Sequence, residues 1–316
     1  MRLFPALLTA VLCLFAAQSW AVETITLQYG WEPGTRAKVT GTASKEKFLN
    51  NESQGVVSMD ISYFLVTTAH EQGLQIDFSN AEVTMSSGAE DLPPFMQSYM
   101  ESLFSSMPSY VIDPEGAVVG IPNLDTFREA AVSGIEAMLT DVPDEVRTQL
   151  IGGLSQVFSE DVLHAQVEEE WGKHVGQWIG AELDNDGVYQ MEYEAPIPLL
   201  NNQLVKTYAE YEFIDRVNCD ELDTENSCVV LIYRTQTDDV AATTLLKQLV
   251  GDMAVVEDVI VSVSSEMELV TDPKNLLTYY SRSVKSLSAP AQTPEGLVNT
   301  QQVDVCEYKY VYVKGN

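Results

Sequence analysis

The chain has 316 residues, of which 47 are Asp or Glu and 17 are Lys or Arg, so its formal net charge is −30. This balance excludes a nucleic-acid-binding protein, because such proteins need a basic surface that neutralises phosphates. Hydrophobic residues make up 45% of the chain and charged residues 20%, a composition typical of a packed globular protein and too apolar for a disordered one.

The first 21 residues have the pattern of a secretory signal peptide. Arg2 precedes an apolar run over residues 5–17, and Ser19 and Ala21 are small residues placed for cleavage after Ala21. The run is shorter than the roughly 20 apolar residues of a membrane span. We therefore expect residues 1–21 to be removed, and we predict a periplasmic protein without a transmembrane segment.

Three cysteines remain after this cleavage, and in an oxidising compartment three can form one disulfide bond and leave one thiol. Cys219 and Cys228 enclose a polar segment between two strand-like runs. This spacing predicts a disulfide bond that closes a hairpin. Cys306 lies within a strand pattern, and we expect it to be a buried free cysteine.

The N-terminal part of the chain is typical of strands. Apolar residues alternate with more polar ones from Met59 to Thr67, a period of two. A second run changes phase between Phe78 and Ala81, which indicates a β-bulge. The segment 113–116, Asp-Pro-Glu-Gly, predicts a type I turn between two short apolar runs.

Helical spacing dominates the middle of the chain and predicts helices over 95–107, 127–139, 146–158 and 164–183. The first of them is rich in Met and aromatic residues, which adapt well to a variable apolar ligand. The alternative is that this helix simply covers the core of the sheet. Its candidate ligand-binding residues are Phe95, Met96, Tyr99, Met100, Phe104 and Met107.

Strand patterns return from Gly187 and continue to residue 313, interrupted by a predicted helix over 240–250 and a predicted loop over 289–296. In the last strand Tyr308, Tyr310 and Tyr312 share one face, and valines occupy the other. Such a strand needs cover on both faces, or else it lines a cavity.

These elements predict an α+β fold built on a large antiparallel sheet with an inserted block of amphipathic helices. We expect one domain over residues 22–316. Its parts are a β-rich half over 22–121, a helical block over 122–183 and a second β-rich half over 187–313.

Two acid and histidine pairs stand at helical i, i+4 spacing, His164 with Glu168 and Glu170 with His174. Such pairs can ligate a metal from one helix face. The histidines are ten residues apart and an H-E-x-x-H pattern is absent, so a solvated helix face is the favoured interpretation.

Two acidic segments invite a calcium interpretation. Residues 182–187 place acids at alternate positions before a glycine, but Tyr193 stands where the twelfth-position Glu of a calcium loop is expected. We favour a turn ahead of a strand there, and a solvated hairpin tip for the acids of 220–225. We predict no catalytic residue, no metal and no cofactor.

The layout of strands interrupted by amphipathic helices in a secreted chain resembles the lipoprotein-localisation carriers and the mycobacterial lipoprotein lipid carriers. Segments 171–187 and 113–116 also resemble parts of uncharacterised secreted bacterial β-rich proteins. The resemblance to the carriers implies a curved or half-barrel sheet closed by helices. It implies a non-catalytic periplasmic protein that binds a lipid or another apolar ligand. The alternatives are an envelope protein that docks a protein partner and, ranked last, a metal-dependent hydrolase.

Overall fold

The computed structural model describes residues 22–87, 107–139, 147, 159–197, 200, 203–221, 223–250, 260–293 and 296–313. The signal segment 1–21 lies outside these residues, as do the predicted helix over 146–158 except for residue 147 and the predicted helix over 95–107 except for residue 107. The strands are β1 (Thr24–Thr26), β2 (Arg36–Leu49), β3 (Glu52–His70), β4 (Gly73–Ser87), β5 (Tyr110–Ile112), β6 (Val118–Gly120), β7 (Glu182–Asp184), β8 (Val188–Ile197), β9 (Gln203–Val217), β10 (Cys228–Thr237), β11 (Ser262–Thr271), β12 (Thr278–Thr293) and β13 (Gly296–Tyr312). The helices are α1 (Leu124–Met138), α2 (Glu160–His174) and α3 (Asp239–Val250).

Eleven of the described strands form one sheet in the order β6-β5-β4-β3-β2-β13-β12-β11-β10-β9-β8. All pairings within it are antiparallel, and β6 and β8 are its open edges. The two β-rich parts of the chain join through β2 and β13, where Val39 pairs with Tyr310. The predicted α+β fold with a large antiparallel sheet is confirmed.

The sheet curves around α2 and the short 3₁₀ turn Gly176–Trp178 that follows it. Trp171 contacts Tyr110 of β5 at 6.0 Å between ring centroids, and Trp178 contacts Tyr233 of β10 at 6.5 Å. β5 and β10 are seven positions apart in the sheet order, which in a flat sheet would be about 34 Å. Trp171 and Trp178 are seven positions apart in the chain, which corresponds to about 10 Å along a helix. Both ends of the sheet therefore turn toward the same helix.

The buried residues form two cores on the concave face. The larger core packs α2, its following turn and the N-terminal segment against the sheet, with Trp178 and Leu27 fully buried. The smaller core packs α3, through Ala242, against Ile197, Leu200, Val205 and Val261. The separation of the two cores leaves a stretch of the concave face between α2 and α3.

Several local predictions are confirmed. Two residues of β4, Asn80 and Ala81, oppose Tyr63 of β3 where the register shifts, which is the predicted bulge. The turn at 113–116 closes with the Gly116 amide donating to the Asp113 carbonyl at 3.0 Å. Gly116 adopts φ +92, a backbone conformation that favours glycine. The disulfide bond joins Cys219 and Cys228, and Cys306 is free as predicted, although it is half-buried and not buried.

Two predicted boundaries are wrong. The helix predicted over 164–183 ends at His174, because the chain then makes the 3₁₀ turn and reverses at Gly180, which has φ +74. The chain continues into β7, which pairs with β1 outside the large sheet. The helical block predicted to extend to residue 183 therefore stops nine residues earlier.

The loop predicted over 289–296 is instead a continuation of the sheet. β12 runs to Thr293 and β13 begins at Gly296, and these two residues pair with each other. The proline and glycine that suggested a loop are accommodated within the hairpin, where Pro290 lies opposite Asn299.

None of the helices within the described residues is both long enough and apolar enough to cross a membrane.

Candidate ligand-binding site

Two cavities lie on the concave face of the sheet on either side of α2. The smaller, here called the aromatic cavity, has a volume of about 320 Å³. The larger, here called the mixed cavity, has a volume of about 570 Å³. Glu170, His174 and Tyr308 line both cavities, so the two spaces adjoin at the C-terminal end of α2.

The aromatic cavity has a wall of rings from four strands and a roof of helical side chains. Ring contacts connect Tyr63 to Phe78 at 5.6 Å, Phe78 to Tyr110 at 5.9 Å and Tyr110 to Trp171 at 6.0 Å. Tyr308 and Tyr310 of β13 complete the wall, which confirms that this strand lines a cavity with its tyrosine face. The opposite valine face of the strand is solvent-exposed at Val311, at 64%.

The position of Tyr308 depends on a glycine in the neighbouring strand. Gly41 pairs with Tyr308, and a Cβ atom at Gly41 would lie near the Tyr308 ring and the Glu307 carbonyl oxygen, both within the distance of a steric clash. The absent side chain therefore lets the Tyr308 ring lie over β2 at the boundary between the two cavities.

Helix α2 is anchored over these cavities near its C-terminal end. The indole nitrogen of Trp171 donates to the Gly116 carbonyl oxygen at 2.8 Å, and the indole nitrogen of Trp178 donates to the Lys173 carbonyl oxygen at 3.0 Å. Leu163 and Val167 of the same helix are buried and line the aromatic cavity. Phe127 of α1 lines it as well. The helices therefore form the roof of the cavity.

The hydroxyl groups in the aromatic cavity stay protonated at neutral pH. Burial raises the pKa of Tyr63, Tyr110, Tyr308 and Tyr310 above the usual value, and the nearby Glu170 carboxylate raises each of them further. The wall is therefore uncharged, and Glu170 at the boundary with the mixed cavity is the acid that faces it.

A chain of hydrogen bonds crosses the boundary between the cavities. His174 Nδ1 lies 3.0 Å from the Glu170 carbonyl oxygen, which can only accept, so Nδ1 carries the proton. His174 Nε2 lies 3.3 Å from the Ser281 hydroxyl, which in turn shares a hydrogen bond with Tyr310. This chain fixes the orientation of the His174 ring.

Ser281, His174 and Glu170 do not form a site for nucleophilic catalysis. Ser281 is 2% exposed and lies within β12, where its neighbours pair with both adjacent strands. The backbone amides that would stabilise an oxyanion are thus bound in the sheet. The arrangement positions His174 and Tyr310 in the cavity wall.

The acidic segments considered for metal binding serve structural roles. Among the described residues no cluster of three or more His, Cys, Asp or Glu side chains is arranged to hold a metal ion. His164 Nδ1 lies 3.5 Å from a carboxylate oxygen of Glu168 on one helix face. Residues 184–187 close a turn ahead of β8, with the Gly187 amide donating to the Asp184 carbonyl. Asp223 accepts hydrogen bonds within its own hairpin loop.

One of the six sequence-predicted ligand-binding residues lies within the described chain. Met107 lines the aromatic cavity, as does the adjacent Pro108. The other five, Phe95, Met96, Tyr99, Met100 and Phe104, lie outside the described residues, so their role stays a prediction.

The sequence reasoning missed most of the cavity wall. Trp31, Tyr63 and Phe78 were not singled out, because an aromatic residue on the apolar face of a strand is equally typical of a filled core. Lys285 was also missed, although it shares the inward phase of β12 with Ser283 and Leu287.

Comparison with known proteins does not identify a family for this chain. No family model matches the chain, and no curated protein matches its sequence. A solved structure of lipovitellin, described as concerning lipid–protein interactions, is similar over 91% of this chain with a TM-score of 0.45 and 7% identity. The chain spans 26% of the length of that structure's chain. A TM-score this low does not define a common fold. The protein is classed here by its own geometry, an open antiparallel sheet curved around a helix with two cavities beneath it.

Proposed function

We propose that this protein is a non-catalytic carrier that binds a lipid or another apolar ligand between the concave sheet and α2. The aromatic cavity carries this proposal. Protein interiors are packed to about the density of organic crystals, with few voids larger than a water molecule. A space of about 320 Å³ lined by aromatic and aliphatic side chains is therefore unusual for a core and typical of a ligand pocket.

The chemistry of the wall fits an apolar ligand with a polar end. The aromatic cavity offers neutral rings and a few hydroxyl groups, whereas the adjoining mixed cavity offers Thr235, Ser265 and Ser283 together with charged side chains. Ligand pockets commonly combine an apolar lining with a small number of placed polar groups. A molecule with an apolar body and a polar end would match both cavities at once.

The Met-rich segment over 95–107 extends the proposal. Met107 lines the aromatic cavity, and the rest of the segment precedes it directly in the chain. We propose that Phe95, Met96, Tyr99, Met100 and Phe104 contribute to the same binding surface.

Filling the aromatic cavity tests the proposal. Gln166 of α2 lines this cavity and is exposed, whereas the neighbouring Ala165 is exposed and does not line it. We expect Gln166→Trp to weaken the binding of a hexadecyl-chain fluorescent probe by about tenfold, equivalent to about 1.4 kcal/mol. Ala165→Trp, the matched control, should bind the probe as the wild-type protein does. Equal affinity in all three proteins, or no binding by the wild-type protein, would overturn the proposal.

We also propose that the protein acts in the bacterial periplasm after cleavage behind Ala21. The Cys219–Cys228 disulfide bond supports export, since such bonds persist in oxidising compartments. N-terminal sequencing of protein recovered from the periplasmic fraction should begin at Val22. Recovery of the full-length chain from the cytoplasmic fraction alone would contradict this.

A further inference from the structure

The charged side chains of the mixed cavity are almost all paired. Four carboxylates line this cavity among the described residues: Glu169, Glu170, Glu266 and Asp304. Glu169 lies 2.6 Å from Lys173, and Glu170 lies 3.6 Å from His174 and 3.9 Å from Lys173. Both carboxylates therefore lie beside the same lysine, Lys173, on α2.

The two carboxylates from the sheet are paired as well. Glu266 accepts a hydrogen bond from Arg234 at 2.7 Å, and Asp304 lies 3.7 Å from Lys45. Each acid that lines the mixed cavity thus has a cation within 4.0 Å, with Lys173 shared by Glu169 and Glu170 and Arg234 shared by Glu266 and Glu212.

Lys285 is the exception among the charged residues of the mixed cavity. It is exposed on the inner face of β12, between Ser265 of β11 and Asp304 of β13, and none of the described carboxylates lies within 4.0 Å of its ammonium nitrogen. Its charge does interact electrostatically with Glu169 of α2. Partial burial raises the pKa of Glu169, but the hydrogen bond from Lys173 and the charges of Lys173 and Lys285 outweigh this, so the pKa is lowered.

An unpaired ammonium group inside a cavity is notable in a chain with a net charge of −30. In such a chain a lysine has many potential carboxylate partners, yet the partners nearest to Lys285 are taken up by other cations. Among the described residues, Lys285 is therefore the lysine of this cavity whose ammonium group holds no ion pair within 4.0 Å, so an anion that binds it would not have to displace one.

We propose that Lys285 binds the anionic headgroup of an amphiphile whose hydrocarbon chain extends into the aromatic cavity. This inference rests on the proposed function, since it needs a ligand in the cavities. The distance from Lys285 to the boundary between the two cavities suits such an amphiphile. Lys285 is four residues along β12 from Ser281, which pairs with Tyr308 at the boundary, so about 13 Å separate headgroup and boundary. Ser283 and Cys306 line the path between them.

The test is a series of ligands with the same hexadecyl chain and different headgroups. Hexadecanoate and hexadecyl phosphate carry an anion, hexadecanol is neutral and hexadecyltrimethylammonium carries a cation. The wild-type protein should bind both anions more tightly than the alcohol and the cation least tightly. Lys285→Gln should weaken anion binding by about tenfold and leave the affinity for hexadecanol unchanged, which also shows that the cavity remains intact.

Lys309→Gln is the matched control, because Lys309 is exposed on β13 and lines a cleft on the opposite face of the sheet. It should leave all four affinities unchanged. A larger loss with hexadecanoate or with hexadecyl phosphate in Lys285→Gln identifies a carboxylate or a phosphate headgroup, and either result supports the inference. Equal binding of all four headgroups, or no effect of Lys285→Gln, overturns it while the proposed function stands. If no hexadecyl chain binds, both fall.

Discussion

The Asp223 carboxylate organises the loop that the disulfide bond closes. Its Oδ2 atom accepts hydrogen bonds from the Cys219 amide at 2.9 Å, the Ser227 amide at 2.9 Å and the Ser227 hydroxyl at 2.7 Å. Its Oδ1 atom accepts from the Glu225 amide at 2.9 Å. These bonds, that from the Ser227 hydroxyl foremost, hold the pKa of Asp223 well below its usual range. The acid that invited a calcium interpretation is thus occupied by its own loop.

We expect Asp223→Asn to lower the free energy of unfolding at pH 7, because an amide nitrogen cannot accept the hydrogen bonds that Oδ2 now receives. The pKa of Asp223 is lower in the folded than in the unfolded chain. Its contribution is therefore complete above the unfolded pKa of about 3.9 and is lost as pH falls through the folded-state value. In urea titrations the difference between variant and wild type should narrow progressively below pH 4. Glu221→Gln at the same tip serves as the control; a difference independent of pH would refute the assignment.

The Thr278 hydroxyl group differs from the Asp223 carboxylate, because it forms no hydrogen bond with the described residues. Its hydroxyl oxygen is buried, lines the aromatic cavity and has no hydrogen-bond partner among the described residues. A buried unsatisfied hydroxyl costs about 1–3 kcal/mol. We expect Thr278→Val to raise the free energy of unfolding by about 1 kcal/mol, since the shape is retained and no bond is lost. Ser281→Ala, which removes the bond to His174, should lower it by a similar amount in the same chemical-denaturation measurement.

Helix α2 shows how far an element can be read from the sequence. Helical spacing predicted a helix over 164–183, and both i, i+4 pairs of acid and histidine lie on the helix that forms. Its end was misplaced, because the residues after His174 keep an apolar pattern that reflects the burial of Val175 and Trp178 in a 3₁₀ turn. The sequence reasoning also could not show what the helix covers, since that depends on strands distant in the chain.

The attachment of α2 depends on Trp171. Its ring contacts Trp31 at 5.3 Å and Tyr29 at 6.0 Å, and its nitrogen bonds to the turn at Gly116. We expect Trp171→Ala to lower the free energy of unfolding by about 3–5 kcal/mol, the usual range for removing a buried large aromatic side chain. Amide hydrogen exchange along α2 should quicken. Val162→Ala, at an exposed position of the same helix, should change stability by no more than about 0.5 kcal/mol. Unchanged exchange in Trp171→Ala would show that the helix is held by other contacts.

At the scale of the whole molecule, the proposed ligand binding is coupled to folding stability, because the cavities exist only when the sheet curves around α2. A ligand that binds the folded chain alone, at a concentration one hundred times its dissociation constant, stabilises it by about 2.7 kcal/mol. We expect hexadecanoate to raise the thermal midpoint in calorimetry by about 4 °C. It should also slow alkylation of Cys306, which lines the mixed cavity. Gln166→Trp, which binds about tenfold more weakly, should show about half of this stabilisation at the same ligand concentration, about 1.4 kcal/mol. A ligand-induced shift of equal size in that variant would place the binding elsewhere.

The sequence by itself determined the local features of this protein. Alternation of apolar residues predicted the long strands, a phase change predicted the bulge at Asn80 and Ala81, and the spacing of Cys219 and Cys228 predicted their bond. These features depend on residues that are close together in the chain, so short segments are sufficient to predict them. The composition likewise indicated a packed core beneath an acidic surface.

Only the tertiary structure decided where open space lies and what borders it. Tyr63, Trp171 and Tyr308 come from distant parts of the chain, and they surround a cavity rather than fill a core because the sheet curves around α2. In the same way, Lys285 became distinctive only when the cations that pair with the neighbouring acids were located. The periodicity of apolar residues shows which face of a strand is apolar. The packing of strands distant in the chain determines whether that face contacts protein or lines an open cavity.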